Sequence, residues 1–517
     1  MSGKYLLRTL GCKVNQYESQ QIREILDSLG LHPAGPGEVA DLAVINSCAV
    51  TSSASAKTRQ AARRVCAGGT TPTVVVGCGA AADADRLRRI HGVVGVWGHD
   101  QNLAQRIHDY VVHRLNLGRD SNTARIPAPV AVSAAAGRGD GDDGWMSAAS
   151  PAQGERTESA NVPDAALYNS IPLRSEFVNA GWPDNRPIRR FDDHQRAFLK
   201  VQDGCDASCT YCIIPRLRPN LRSKPIEVVV AEAETLVRAG HREIVLTGIC
   251  LGAYGRPTAR RRLSDDGGHP LAELVEALAG VEALARLRLS SLEPGDVGQE
   301  LLEVLAAHDN CVPHLHLPLQ SGSPRILRRM NRQYTLEDFL AMIDRVTSAL
   351  DRPAISTDIL VGFPGETEDD FEQTLQVTRE VGFCKIHAFP FSPRERTAAG
   401  RWNSEFVDGR IVHRRMQRLQ QLERETARRF QEQFVGSIER VLVEDSRSET
   451  RVDTGVLHGH ADRYFQVCFE VEVGSRLRPG DVAWVRIERV APGRVHGTLV
   501  ATRWLDFALP ALSNDAV

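Results

Sequence analysis

The chain lacks three features that would assign it to particular classes of protein. Its 517 residues carry almost no net charge, with 63 Lys and Arg against 65 Asp and Glu, so global charge does not indicate a nucleic acid or a membrane as partner. No stretch approaches about 18 unbroken apolar residues, which excludes a membrane-spanning helix. The N-terminal segment reaches a polar loop at Cys12 before the apolar core of a signal peptide could form. We therefore expect a soluble, cytoplasmic protein of about two to four domains.

Cysteine, in contrast, is plentiful. The chain has 11 cysteines, and without a secretory signal they belong to a reducing compartment in which disulfides are rare. Three of them, Cys205, Cys209 and Cys212 (the barrel triad), are spaced C-x₃-C-x₂-C directly after a predicted strand. Three thiolates on so short a loop can hold three irons of one [4Fe–4S] cube and leave the fourth iron open to another ligand. A zinc site is the alternative, although zinc usually takes paired C-x₂-C elements and the sequence contains no partner pair.

A second group of cysteines follows the strands predicted in the first 100 residues. Cys12, Cys48 and Cys78 (the N-terminal triad) each stand just beyond one of these strands. Each alone is typical of a buried core cysteine. Because the ends of parallel strands lie along one edge of a sheet, the three together favour a second three-thiolate site. The other cysteines are interpreted as core or incidental thiols: Cys66, Cys250, Cys311, Cys384 and Cys468.

Composition and patterning predict an α/β fold in five segments. Residues 1–118 alternate buried strands with helices, which indicates a parallel-sheet domain. Residues 119–190 are rich in Ala, Gly, Ser, Asp and Pro, and are predicted to be a disordered linker or insertion. Residues 191–434 contain about six βα units and a final long helix, as in a partial βα barrel. Residues 435–504 have the short alternating strands of a small all-β barrel, and residues 505–517 form a tail.

Several motifs, in this order, carry a family resemblance: TLGCKVNQYES, VINSCAVT, VVVGC, CTYCIIP, EIVLTG, LSSLEP, LHLPLQSGS, TDILVGFPGET and FPFSPR. The chain resembles the methylthiotransferases, which are radical S-adenosylmethionine (SAM) enzymes. Their fold has an N-terminal cluster domain, a partial barrel and a C-terminal RNA-binding module called TRAM. Within the family, TLGCKVNQYES is most similar to the enzymes that act on N6-threonylcarbamoyladenosine in tRNA.

This resemblance implies which residues hold the cofactors. The barrel triad would hold a [4Fe–4S] cluster that cleaves SAM, and the N-terminal triad an auxiliary [4Fe–4S] cluster. One SAM would methylate sulfur at the auxiliary cluster, and a second would generate the radical that removes hydrogen from C2 of the adenine. Tyr211 fills the motif's aromatic position, and Gly248 stands where the superfamily contacts the methionyl amino group. Glu293 and residues 361–366 are further candidates for SAM contact, although Glu293 is nearly as well explained by a salt bridge within the barrel.

The expected activity is methylthiolation of C2 of N6-threonylcarbamoyladenosine at position 37 of tRNA. The near alternatives are isopentenyladenosine in tRNA or an aspartate of a ribosomal protein as substrate. A non-catalytic, zinc-bearing RNA-binding protein is the alternative from another class. The implied partners are tRNA, a sulfur donor and a reducing electron donor such as a flavodoxin or ferredoxin, with no membrane.

Two basic stretches are candidates for contact with RNA. The helix predicted around residues 408–434 has seven arginines and two glutamates between Arg410 and Phe430, for which a solvated helix face is the usual explanation. A second stretch follows the barrel triad, and we expect it to meet phosphates and the carboxylate of the threonylcarbamoyl group. Its cations are Arg216, Arg218, Arg222 and Lys224.

Overall fold

The computed structural model describes residues 3–68, 71–98, 102–114, 187–260, 269–444, 455–472, 475 and 477–502. Its strands form a five-stranded sheet, a partial barrel made of two sheets, and a closed five-stranded barrel. The predicted fold class is therefore confirmed. Nearly all of the predicted linker, and the tail, lie outside the described residues. Among the described helices, none combines the length and the apolar character that a membrane span requires.

The first unit is a parallel sheet with helices packed against it. Its elements are β1 (Lys4–Thr9), α1 (Lys13–Ser28), β2 (His32–Pro33), β3 (Leu42–Ser47), α2 (Ser52–Cys66), β4 (Thr73–Gly77), α3 (Cys78–Ala82), α4 (Ala84–Arg88), β5 (Val93–Trp97) and α5 (Leu103–Asp109). The strand order is β2-β1-β3-β4-β5, and all four pairings are parallel. β3 and β4 are buried along their whole length, which explains why their sequences are dominated by apolar side chains rather than alternating.

The second unit is a partial barrel of six parallel strands. Its elements are β6 (Arg196–Asp203), α6 (Ile214–Leu217), β7 (Arg222–Ser223), α7 (Ile226–Arg238), β8 (Glu243–Gly248), α8 (Pro270–Ala279), β9 (Arg286–Leu289), α9 (Gln299–Ala307), β10 (His314–His316), α10 (Pro324–Met330), α11 (Leu336–Ala349), β11 (Ala354–Val361), α12 (Glu368–Val381), β12 (Lys385–Pro390) and α13 (Gly409–Glu432). One sheet has the order β7-β6-β8-β9, with β7 antiparallel, and the other has the order β10-β11-β12. A parallel bridge between Leu287 and Cys311 joins the two.

Short helices of other types supplement these elements. A π-helix covers Tyr110–Arg114, and 3₁₀ helices cover Leu251–Ala253, Pro294–Asp296, Ala399–Arg401 and Asn403–Glu405. All four 3₁₀ helices follow strands of the partial barrel, on the side where βα barrels place their active sites.

Polar side chains cluster along the strands of the second barrel sheet. His316 of β10 lies 3.3 Å from the carboxylate of Asp358 and 3.0 Å from the hydroxyl of Ser356, and both of these residues belong to β11. The ring of His387 on β12 lies near the ring of His316 in a tilted arrangement. The large apolar core contains residues of the strands and of the helices that cover them. A closed βα barrel fills its interior with branched apolar residues. The polar side chains here therefore leave the partial barrel suited to a polar ligand.

The third unit closes the bottom of the partial barrel. It is a closed barrel made of β13 (Ile438–Glu444), β14 (Val456–Ala461), β15 (Gln466–Glu470), β16 (Val482–Ala491) and β17 (Arg494–Ala501). The Arg286 guanidinium at the start of β9 donates to the carbonyls of His460 and Ala461, at 2.9 Å each. Burial alone would raise the pKa of Glu243, but Arg286 and Arg288 hold it at about 2. This buried ionic contact fixes the third unit to the amino ends of the barrel strands.

Candidate functional site

The barrel triad occupies one short loop at the carboxyl end of β6. Gly204 begins this loop with φ +84°, and a Cβ on it would lie 1.9 Å from the carbonyl oxygen of Asn220, so only glycine fits. The amide of Cys212 donates to the carbonyl of Cys209 at 3.2 Å, which closes a tight turn. The backbone therefore presents the three thiols together where βα barrels place their active sites.

The guanidinium of Arg332 places a positive charge beside this triad. Its buried guanidinium donates to the Cys209 Sγ at 3.3 Å and to the Tyr211 hydroxyl at 3.2 Å, and it forms an ion pair with Glu293. Burial raises the pKa of Cys209, and it raises that of Cys212 to about 12. Thiols in such surroundings ionise only when a strong positive charge, such as that of iron, replaces their protons.

The other residues predicted to contact SAM surround the same opening. Glu293 forms a salt bridge within the barrel, and its partner is Arg332. Gly248 ends β8, where a Cβ would stand 3.0 Å from the side chain of Gln202. In the 361–366 segment, the Glu366 carboxylate accepts from the amide of Gly362 at 2.7 Å and fixes the turn. Contact of any of these residues with SAM stays a prediction.

Cys250 is a neighbour of the barrel triad. A hydrogen bond from Cys250 lowers the pKa of Cys205. The reason is that β6 and β8 are neighbours in the sheet, which brings the loops after them together. The order of the strands was the signal that would have placed Cys250 near the triad, and its interpretation as a core or incidental thiol stays a prediction.

The N-terminal triad lies at the ends of three neighbouring strands, as predicted. Gly11 has φ +123°, and a Cβ there would approach the Cβ of Cys48 to 2.7 Å, so the first loop packs directly on the second. Burial, together with the nearby thiols of Cys12 and Cys78, raises the pKa of Cys48 to about 11. Cys12 is exposed, whereas Cys48 and Cys78 are buried. The three thiols thus share one edge of the sheet, with one of them open to a substrate.

Both donor sets fit iron–sulfur cubes. Within the described ranges, no three His, Cys, Asp or Glu side chains stand close enough to share a single metal ion. A [4Fe–4S] cube does not require this, because each thiolate binds a different iron and the sulfur atoms stand further apart. Two sets of three thiols therefore fit two cubes better than single zinc ions.

The two triads face each other across the domain interface. Cys78 packs against Ile213 and Leu217, in the segment that directly follows the barrel triad. Arg218 connects both sides, because its Nε donates to the Cys78 Sγ at 3.3 Å and its carbonyl accepts from the Cys205 amide at 3.0 Å. Arg218 thus contacts one cysteine of each triad.

The expectation that Arg218 and Lys224 meet phosphates or a substrate carboxylate was wrong. Arg218 is 4% exposed and forms ion pairs with Glu18 and Asp203. Lys224 is 2% exposed and pairs with Glu232 at 2.6 Å. The partner Glu18 belongs to α1, which packs against β6 and brings a carboxylate that sequence proximity does not reveal. The positive charges of Arg218 and Lys224 are therefore neutralised by carboxylates at the interface between the domains.

Loss of the Arg218 charge is expected to destabilise this interface. The variant Arg218→Gln removes a buried positive charge that pairs with both Glu18 and Asp203. Because these carboxylates stay largely buried, the loss should lower the free energy of unfolding by about 3 kcal/mol. Urea unfolding measures this cost, and the exposed neighbour variant Arg216→Gln, expected within about 0.5 kcal/mol of wild type, is the control. Equal stability of the two variants would mean that Lys200, which also pairs with Glu18, neutralises the carboxylates alone.

Sequence reasoning missed three cations at the site. Arg332 follows α10 and has no motif that would reveal it. Lys13 directly follows Cys12, and that adjacency was an available signal. Its ammonium is half-buried among charged groups, and no acceptor within the described part of the chain is hydrogen-bonded to it. Arg394 lies near Cys48, and its buried Nε and Nη2 have no hydrogen-bond partner among the described residues.

Comparison with known proteins agrees with this geometry. Residues 199–377 match the Radical SAM superfamily, and residues 4–98 match the uncharacterized protein family UPF0004. The chain is 31% identical to the threonylcarbamoyladenosine tRNA methylthiotransferase MtaB of Chlamydia pneumoniae over 97% of this chain and 99% of that protein. It is 32% identical to MtaB of Bacillus subtilis, over 93% and 92%. A tRNA-2-methylthio-N(6)-dimethylallyladenosine synthase of Frankia alni is 34% identical, over 95% and 88%. The chain therefore belongs to the radical SAM tRNA methylthiotransferase family.

Proposed function

We propose that this protein methylthiolates C2 of N6-threonylcarbamoyladenosine at position 37 of tRNA, using two molecules of SAM and two [4Fe–4S] clusters. The observation that carries the proposal is the meeting of the two cysteine triads at one interface. Cleavage of SAM and transfer of sulfur must reach the same carbon atom, so their sites must adjoin. A flavodoxin or ferredoxin supplies the electron, and a separate donor supplies the sulfur.

Each part of the site has a role in this proposal. The clusters, when bound, would supply one-electron cleavage of SAM and a place to hold the donated sulfur for transfer. The barrel triad and the N-terminal triad hold them. Arg332 donates to Cys209 and offsets the negative charge of its thiolate. Ile213 and Leu217 pack against Cys78 and exclude water between the two halves of the site. Gly248 leaves room for the amino group of SAM.

The choice of threonylcarbamoyladenosine rests on the motif around Cys12 and on an available cation. Two of the relatives above are named for threonylcarbamoyladenosine and one for dimethylallyladenosine. Only the threonylcarbamoyl group carries a carboxylate, which needs a cationic partner when it is buried. Since Arg218 and Lys224 are used elsewhere, the half-buried Lys13 is our candidate for this partner. It directly follows Cys12, and the charged groups around its ammonium belong to the partial barrel, among them Asp358 of β11.

Metal analysis tests the two-cluster part of the proposal. Reconstituted protein is expected to contain about eight irons per chain with matching sulfide. A variant with Ala at all three positions of the N-terminal triad should retain about four. Zinc without sulfide would contradict the proposal and favour the RNA-binding alternative. Mass spectrometry of tRNA nucleosides then tests the reaction, because cells without the protein should accumulate threonylcarbamoyladenosine that lacks the methylthio group.

A further inference from the structure

A basic groove lies on the first unit, outside the cysteine site. It runs between α2 and α4 and encloses about 520 Å³. Its lining is dominated by cationic and ring nitrogen groups. The lining residues with such groups are Arg59, Arg63, Arg86, Arg89 and His91. A concave surface with four guanidinium groups is suited to an anion with several charged oxygens.

The charge of this region differs from that of the whole chain. Residues 57–68 and 71–91 contain six arginines and one lysine but only two acidic residues, whereas the whole chain has a net charge of −2. Asp83 pairs with Arg59, and Asp85 pairs with Arg88. Within the described part of the chain, Arg63 and Arg89 have no ion-pair partner, and both are exposed. The groove therefore keeps unneutralised charge at its surface.

The other candidate basic surfaces are partly neutralised. On α13, Arg415 is buried and pairs with Glu366, and Arg418 pairs with Glu368 and Glu372. Arg218 and Lys224, the cations expected beside the barrel triad, are buried in ion pairs as well. The groove differs from both predicted stretches in its shape, because its arginines surround one concave surface.

Arg394 joins α2, the helix that lines one side of the groove, to the cysteine site. Arg394 donates to the Ser55 hydroxyl of α2 at 3.0 Å, and its guanidinium lies near both Cys48 and Asp83. Its Nε and Nη2 are buried without a hydrogen-bond partner among the described residues. Unpaired buried donors of this kind are costly, so they indicate a missing anionic or polar partner. Arg394 therefore connects the groove with the N-terminal triad.

We propose that this groove binds the phosphate backbone of the tRNA whose adenosine enters between the two triads. The inference rests on the proposed function and adds the surface that holds the RNA. Guanidinium groups pair with phosphate oxygens in two-pronged contacts that do not depend on base sequence. An acidic electron-donor protein would also meet positive charge, but its electron must reach the barrel triad. The groove instead lies on the first unit, which carries the N-terminal triad.

Charge reversal in the groove tests this proposal on the full chain. The variant Arg63→Glu/Arg89→Glu should bind fluorescent tRNA at least about tenfold more weakly, and the slope of log K against log salt should fall by about two. The matched control, Arg424→Glu/Arg429→Glu on α13, makes the same charge change on exposed arginines and should stay within about threefold of wild type. The neutral pair Arg63→Gln/Arg89→Gln should give the same fall in slope with a smaller loss of affinity, and thermal unfolding checks that all variants fold.

Three results would overturn the groove assignment. Equal weakening by the groove and α13 variants would show only a general effect of net charge. Unchanged tRNA affinity in both groove variants would place the RNA elsewhere. Unchanged tRNA affinity with slower reduction by flavodoxin would assign the groove to a protein partner. Wild-type protein that binds no tRNA, even at low salt, would instead overturn the proposed function itself, and the groove assignment with it.

Discussion

Cys209→Ala is expected to abolish reductive cleavage of SAM. Cys209 lies in the middle of the barrel triad, and its Sγ accepts a hydrogen bond from Arg332. Without this thiolate the loop offers only two ligands from the motif, so the cluster with the open iron is lost or altered. Formation of 5′-deoxyadenosine by reconstituted, reduced protein should fall to background. Cys311→Ala, which changes a buried cysteine outside both triads, should leave it unchanged.

Cys48→Ala is expected to separate the two halves of the reaction. Cys48 lies between the loops of Cys12 and Cys78, so its loss removes the central ligand of the N-terminal triad. The barrel triad stays intact, and 5′-deoxyadenosine should still form while methylthiolated RNA does not. Loss of both products in a folded Cys48→Ala protein that retains about four irons would refute this division of labour.

The positions of the two triads could be predicted because each cysteine stands at a strand end. Parallel strands separated by helices place their carboxyl ends on one side, so the location of Cys12, Cys48 and Cys78 follows from local pattern alone. Each triad lies at such an edge in the structure, and the six-strand barrel and the closed C-terminal barrel are confirmed as well. The local pattern of apolar residues in the sequence was sufficient to predict these features.

The contacts between the units could not be predicted in this way. Arg218 and Lys224 follow the barrel triad in a polar stretch that looks solvated, yet α1 covers them with Glu18 and Tyr17 from about 200 residues away. Ion pairs across so long a separation leave no periodic signal in the sequence. The groove shows the reverse case, because Arg63 belongs to α2 and Arg89 directly follows α4, and the two form one surface only after folding.

The substrate should be chosen by the group on N6 of the adenosine. A threonylcarbamoyl group has a carboxylate, a hydroxyl and a urea unit, whereas an isopentenyl group is apolar. A pocket whose polar groups pair with the first substituent leaves them unpaired with the second, which can cost a factor of about 10⁴ in kcat/KM. We therefore expect methylthiolation of tRNA that bears threonylcarbamoyladenosine, and little or none of tRNA that bears isopentenyladenosine.

Lys13→Met should reduce this preference, because the substrate carboxylate would lose its cation. Loss of a charge-assisted contact is expected to lower kcat/KM for threonylcarbamoyl RNA by about 10- to 100-fold, without lowering SAM cleavage in the absence of RNA. Lys4→Met, which removes an exposed ammonium paired with Glu38, is the control and should have almost no effect. If wild type prefers isopentenyl RNA, the substrate assignment is wrong while the radical mechanism stands. If wild type prefers threonylcarbamoyl RNA and Lys13→Met does so equally, the carboxylate binds to another cation of the site.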